Sequence, residues 1–295
     1  MFNSFVRHRA EKVRQIFIQN CLNFDTPRLE SEEYPAECKT EMNVMYKSGD
    51  HPLKLDIYYP ASYFSSQECF ILIHGGAYVY GDKKLDQNFG MHLAIKSGLP
   101  VVNVDYTLMP DSDISQIISE IFAAMNFVYI KYGFKKYHTV GDSAGGYLAY
   151  MVAQCARSRH VSHAMWVFDK LRGSVESAAM VCPGTQQMVN GFPGLYFEGN
   201  QNNKKFVQRL PNYAYNLNLL AERDNTLRVA IIAGEDDQLT VQIREFKEYI
   251  TDPIYFEAEN DGDRKMHHVF PIAHPEWPES VKAIELIVKN AKGRE

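Results

Sequence analysis

The sequence predicts an α/β fold, with a mostly parallel central sheet flanked by helices. Three observations carry this. Short runs rich in β-formers recur along the chain, among them CFILIHGG at 69–76, PVVNVDY at 100–106 and LRVAIIAG at 227–234. Between such runs the apolar period turns helical, most clearly at Ile114, Ile117, Ile118, Ile121, Phe122, Met125 and Val128. A serine bounded by glycines, in GDSAGG at 141–146, follows a short strand and opens an apolar helix. Strands alternating with helices bury a parallel sheet between helical layers.

Taken in order, residues 1–24 space Phe2, Phe5, Val6, Val13, Ile16 and Phe17 helically, with Arg7, Arg9, Lys12 and Arg14 between them. This predicts an amphipathic helix packed on the rest of the protein; the other reading of the pattern is a basic helix on a membrane surface. Residues 30–50 are polar and predict irregular structure. KLDIYYP at 54–60 alternates and ends at a proline, as a strand does. CFILIHGG stops at two glycines and is apolar throughout, as a strand buried on both faces would be. The helix after Asp111 can be capped by Asp111 or Ser112 and ended by Gly133. YHTV at 137–140 is a short strand, YLAYMVAQCA at 147–156 a buried helix, and AAMVCP at 178–183 and PIYFEAE at 253–259 are further strands. The tail from Glu279 to Lys292 is a helix facing Val281, Ile284, Ile287 and Val288 inward. The stretch from about Thr185 to Asn225 breaks the alternation, and an insertion of that length between strands is often a lid.

Composition sets the outer limits. The chain has 295 residues, of which 45% are hydrophobic and 23% charged, with a formal net charge of -5, as an ordinary globular protein has. The mild acidity argues against a nucleic-acid partner, which needs a basic face. Cys21, Cys38, Cys69, Cys155 and Cys182 form no CxxC pair and read as free thiols, three of them inside apolar runs. No run of eighteen apolar residues exists, so stable insertion across a membrane is not expected. The N-terminal segment lacks the apolar core of a signal peptide, which makes the cytoplasm the expected location.

Gly141-Asp142-Ser143-Ala144-Gly145 matches GxSxG in the strand-to-helix setting that motif requires. The turn is tight enough to strain the serine backbone and to admit only small neighbours. Its hydroxyl then stands at a helix N-terminus, where the dipole and the Ala144 amide favour negative charge. His74-Gly75-Gly76-Ala77-Tyr78 follows the first buried strand, and its paired glycines leave backbone amides to point into a cleft. A serine nucleophile needs a base, and the base an orienting carboxylate, in the chain order Ser, acid, His. The acids available are Glu235, Asp236 and Asp237, after a strand; the histidines are His267, His268 and, further on, His274. Spacing alone does not choose among them. No HExxH or Cys/His ligand spacing points to zinc, so neither a metal nor another cofactor is expected.

HGGAY at 74–78 and GDSAGG at 141–146 resemble the two signatures of the hormone-sensitive-lipase-like esterases of the α/β-hydrolase superfamily. DYTLMP at 105–110, GEDDQL at 234–239 and HVFP at 268–271 are similar to further blocks of that family, in the same order. The resemblance implies an α/β-hydrolase catalytic domain over 41–295, with cap elements at 1–40 and 185–225. It implies Ser143 as nucleophile, Asp237 as acid and His268 as base, with Gly75, Gly76 and Ala144 supplying oxyanion-hole amides. The activity implied is cleavage of short-to-medium carboxylic esters through an acyl-enzyme. An amidase such as an arylformamidase on the same fold is the alternative, and a non-catalytic ligand-binding protein of this fold is a third reading. The expected partner is a small-molecule ester, with a homodimer compatible. Phe192, Tyr196, Phe197, Tyr213 and Tyr215 either line an apolar acyl or aryl pocket or pack the cap onto the body. Ala77 stands at the family's third glycine and Thr107 at its arginine.

Overall fold

The computed structural model describes residues 2–49, 51–187, 210–223 and 226–293, the side chains of 2–9 excepted. Eight strands form one sheet in the order β1-β2-β4-β3-β5-β6-β7-β8. They are β1 (Lys39–Lys47), β2 (Leu53–Tyr59), β3 (Glu68–Ile73), β4 (Val101–Val104), β5 (Lys136–Asp142), β6 (Ser174–Val181), β7 (Arg228–Gly234) and β8 (Ile254–Ala258). The first two strands pair antiparallel, as do β2 and β4; all other pairs are parallel. The mostly parallel sheet expected from the alternation is therefore the sheet observed.

Strand periodicity sorts the core into two layers. Successive side chains point to opposite faces. Ile71 and Ile73 of β3 join one cluster with Leu55, Ile57, Val102 and Val104. Phe70 and Leu72 join the other with Tyr58, Val101 and Val140. The first cluster is covered by α3 (Ile114–Tyr132), α4 (Ala144–Arg157) and α6 (Thr240–Lys247). The second is covered by α2 (Gln87–Ser97) and α7 (Pro278–Lys292). A sheet covered on both faces explains why its central strands are apolar without alternation.

Helix α3 starts one or two residues later than either cap expected for it. Asp113, not Asp111 or Ser112, is the N-cap, its carboxylate accepting from the Gln116 amide at 2.8 Å. Gly133 ends the helix in the left-handed conformation, as anticipated. A short helix, α5 (Arg159–Ala164), follows α4.

Residues 39–47 correct the expectation of irregular structure over 30–50. They form β1, a mostly exposed edge strand whose alternation is confined to Met42, Val44 and Tyr46, of which Val44 and Tyr46 pack against the core. The first helix, α1 (Phe2–Ser31), runs further than expected and accommodates Pro27 in its last turns. Ala10 is buried, Phe17 packs against the core, and Arg28 pairs with Asp25 and Glu32 while donating to the Leu85 carbonyl at 3.2 Å. Val13, Ile16 and Phe24 on the same helix remain exposed. Among the described residues no helix is long and apolar enough to cross a membrane. All five cysteines are free, and Cys69, Cys155 and Cys182 are buried.

Candidate active site

The sheet's carboxyl edge gathers the site. β5 ends at Asp142, α4 begins at Ala144, and Ser143 between them has φ 51° and ψ -115°. A non-glycine residue there is strained by about 1–3 kcal/mol, and persists because its surroundings leave no alternative. Packing shows why glycines flank it. A Cβ on Gly145 would lie 1.9 Å from the Ile73 carbonyl oxygen, and one on Gly141 would lie 2.4 Å from the Gly145 oxygen. Ser143 is anchored by its amide, which donates to Val181 O at 2.8 Å.

Asp237 and His268 come to this serine from two other loops. Asp237 follows β7; its Oδ1 accepts from the Leu239 amide at 2.8 Å, which fixes the carboxylate. His268 Nδ1 lies 3.0 Å from Asp237 Oδ2 and 3.1 Å from Oδ1. Its Nε2 lies 2.8 Å from Ser143 Oγ. An ionised carboxylate only accepts, so the ring proton sits on Nδ1 and Nε2 is left to accept from the serine hydroxyl. Asp237 is fully buried at its side chain, whereas the His268 ring is 30% exposed.

The neighbouring candidates fall elsewhere. His267 Nδ1 pairs with Asp236 at 3.1 Å, but both side chains are largely in solvent. Glu235 turns back to accept the Asn260 amide. His274 stacks on Trp277 with ring centroids 4.0 Å apart, and belongs to a different part of the surface.

The HGGAY loop lies beside the serine. Gly76, Ala77 and Tyr78 all have positive φ, and the Gly76 carbonyl accepts from both Val79 and Tyr80. This folds the loop back on itself. Ala144, as the first residue of α4, has an amide with no partner inside its own helix. Gly75 is different: the Asp142 carboxylate sits against it, 2.5 Å from where a Cβ would be, and the Gly75 amide helps to hold that carboxylate charged. His74 is fully buried, donates from Nδ1 to the Gly75 carbonyl at 2.9 Å and stacks on Tyr106 at 4.3 Å. Burial pushes its pKa down to about 4, so it is neutral beneath the loop.

Two buried carboxyls lie under this loop. Burial pushes Asp142 up to about 6, and pushes Asp86 well above the carboxylate range, helped by the Asp142 charge. Neither residue's part here was legible beforehand, because Asp86 comes from the short helical turn that leads into α2, 56 residues before Asp142.

A third group escaped sequence reasoning. Cys182 follows β6, is fully buried, and has φ 46°. Its sulfur, a carboxylate oxygen of Asp237 and a nitrogen of His268 all lie within 4.8 Å of one another. Burial first, then the Asp237 charge, holds the thiol well above its usual range and therefore protonated.

The insertion expected to form a cap is described at 185–187 and 210–223 only. Phe192, Tyr196 and Phe197 lie outside the described residues. Tyr213 is buried, and the Tyr147 hydroxyl of α4 donates to the Ala214 carbonyl at 2.8 Å. Thr185 donates its amide to Gln242 of α6 at 2.9 Å. These parts of the insertion pack on the body, which is the packing role weighed for Tyr213.

A serine on a strained strand-to-helix turn at the carboxyl edge of a mostly parallel sheet, with a carboxylate after β7 and a histidine after β8, defines a class. Residues 70–247 match the pattern of the family described as alpha/beta hydrolase fold. The chain belongs to that family, in the hormone-sensitive-lipase-like branch its two glycine motifs resemble. It is 30% identical over 113 residues to the esterase LipI of Mycobacterium tuberculosis, covering 36% of this chain and 35% of that protein. It is 28% identical over 102 residues to an acetyl esterase of Salmonella paratyphi B, covering 33% and 32%. The matched segments thus span about a third of these relatives. Esterase B from Lactobacillus rhamnosis, solved with a tributyrin phosphonate inhibitor, superposes with a TM-score of 0.81 over 97% of each chain at 24% identity. At that identity the likeness carries the fold.

Proposed function

We propose that this chain is a serine hydrolase of carboxylic esters. The observation that carries the reading is the continuous line Ser143 Oγ, His268 Nε2, His268 Nδ1, Asp237, with separations of 2.8 and 3.0 Å. His268 takes the hydroxyl proton as Ser143 Oγ attacks the acyl carbon, and Asp237 stabilises the imidazolium that forms. The tetrahedral oxyanion lies toward the amides of Gly76 and Ala144, with Gly75 in the same loop, its amide shared with Asp142. His268 then gives its proton to the leaving alkoxide, and a water repeats the sequence to release the acid. The names of the relatives, esterase and acetyl esterase, support an ester over another acyl substrate. No step draws on a metal or an organic cofactor.

Short-to-medium acyl chains and a cytoplasmic location complete the proposal, and a homodimer is compatible with it. The test is hydrolysis of p-nitrophenyl esters of increasing chain length, with Ser143→Ala as the control. Turnover on short chains that drops by about a millionfold in the variant supports the reading. A folded protein that turns over formamides and no ester moves the assignment to an amidase; turnover of neither class leaves a binding protein.

A further inference from the structure

Cys182, Asp237 and His268 are the one group of three potential metal ligands that meet within 4.8 Å among the described residues. They come from three separate loops, after β6, β7 and β8, so no spacing in the chain announces them. Thiolate, imidazole and carboxylate together form a donor set suited to zinc and similar borderline-soft cations. Tetrahedral coordination with Zn–S near 2.3 Å and Zn–N or Zn–O near 2.0–2.2 Å needs ligand atoms roughly 3.3–3.8 Å apart. The Asp237 Oδ2 to His268 Nδ1 separation is already 3.0 Å. The sulfur closes the third side after a shift of about 1 Å or less.

We propose that this triangle is an inhibitory site for a zinc-class divalent cation, with Cys182 Sγ, Asp237 carboxylate oxygen and His268 Nδ1 as ligands. The inference rests on the triad reading above for its effect on activity, but not for binding itself. His268 Nε2 is committed to Ser143 Oγ at 2.8 Å, so Nδ1 is the nitrogen that can share a centre with Asp237. Protons balance as follows. The thiol loses its proton to solvent as sulfur bonds the cation, since a coordinating thiol is deprotonated outright. The imidazole stays neutral, and its single proton moves from Nδ1 to Nε2. Nε2 then donates to Ser143 Oγ instead of accepting from it, and the base for the first step is gone. The exposed part of the His268 ring gives the cation its way in, because Cys182 and the Asp237 side chain are closed to solvent.

The experiment uses the whole chain and two metal salts. Zinc chloride is titrated into ester hydrolysis by wild type, Cys182→Ala and Cys182→Ser, each measured against its own metal-free rate. Cys38→Ala serves as the control, since that half-buried thiol precedes β1 at one edge of the sheet, whereas the triad loops follow β5, β7 and β8. Cobalt chloride is then added to each protein and the thiolate-to-cobalt absorption recorded. Wild type and Cys38→Ala should be inhibited reversibly, with recovery on chelation. Losing a direct ligand should weaken inhibition by at least the roughly 10–100-fold that loss of an outer partner costs. The cobalt thiolate band should be present in wild type and absent in both Cys182 variants. Equal zinc sensitivity in wild type and the Cys182 variants overturns the site, and so does a wild type without the cobalt band. If the chain hydrolyses no ester, the hydrolase reading has failed, while the cobalt spectra still decide the site.

Discussion

Lys47 of β1 places its Nζ 2.7 Å from Oε1 of Glu120 on α3. Glu120 is 3% exposed and also accepts from the Thr107 amide, the Thr107 hydroxyl and Gln116. Thr107 occupies the arginine position of the block that DYTLMP resembles, and the cation on this buried carboxylate comes from the edge strand. Four donors on one buried carboxylate make its removal costly. Glu120→Ala should destabilise the fold by about 1–3 kcal/mol, because the part-buried Thr107 amide and hydroxyl lose their acceptor. Lys47→Ala should cost about 1 kcal/mol or less, since its side chain is partly in solvent. Denaturant unfolding measures both; equal losses for the two would mean that the lysine, not the network, holds Glu120.

The strain at Ser143 separates stability from activity. With φ at 51°, Ser143→Gly should stabilise the protein by roughly 1 kcal/mol while abolishing ester turnover. Thermal unfolding and a rate assay on one preparation test this, and a destabilised glycine variant would contradict the strain argument.

The two adjacent Asp–His pairs make opposite predictions. His267 and Asp236 are a surface pair, so His267→Ala should leave kcat/KM within about twofold. Asp237→Asn should lower kcat by about ten-thousandfold, because the neutral amide no longer fixes the imidazole tautomer. Matching losses at positions 267 and 268 would sink the assignment of the base.

Cys182 bears on the same chain of groups. The neutral thiol lies beside Asp237, so Cys182→Ala should lower kcat several-fold with KM unchanged. Cys182→Ser, which keeps a donor, should recover most of the loss. A serine variant as impaired as the alanine one would reduce Cys182 to packing.

His74 gives a pH dependence of defined sign. Its pKa is about 4 in the fold, against 6.5 as an ordinary value, so the unfolded chain binds more protons between those limits. The stability it contributes is complete above pH 6.5 and falls as pH drops toward 4, by about 3 kcal/mol in all. Asp142 and Asp105, both raised to about 6, act in the opposite direction below pH 6. Comparison with His74→Phe isolates the histidine: wild type should lose about 3 kcal/mol more than the variant between pH 6.5 and 4. Parallel stability curves for the two proteins would rule out a neutral buried His74.

Much of this protein is local and was legible in its residues. The buried strands are continuous apolar runs because both sheet faces are covered, and α3 is visible in one helical stripe of isoleucines. The elbow is readable because steric exclusion acts within five residues: Gly141 and Gly145 stand where any Cβ would strike backbone. Polar segments that fold by pairing were not legible. β1 is an exposed edge strand held mainly by its ladder to β2, and its short alternation at Met42, Val44 and Tyr46 is broken by Met45 and set among polar residues. The choice of Asp237 over Asp236, and of His268 over His267, needed a resemblance, since neighbours in sequence are equivalent until the loops bend. Tertiary structure alone decided that one pair is enclosed and the other wet. It alone brought Cys182 to Asp237, Asp86 beneath the elbow and Lys47 to Glu120. Those meetings depend on how strands far apart in the chain are ordered in the sheet, and no local period or spacing encodes that order.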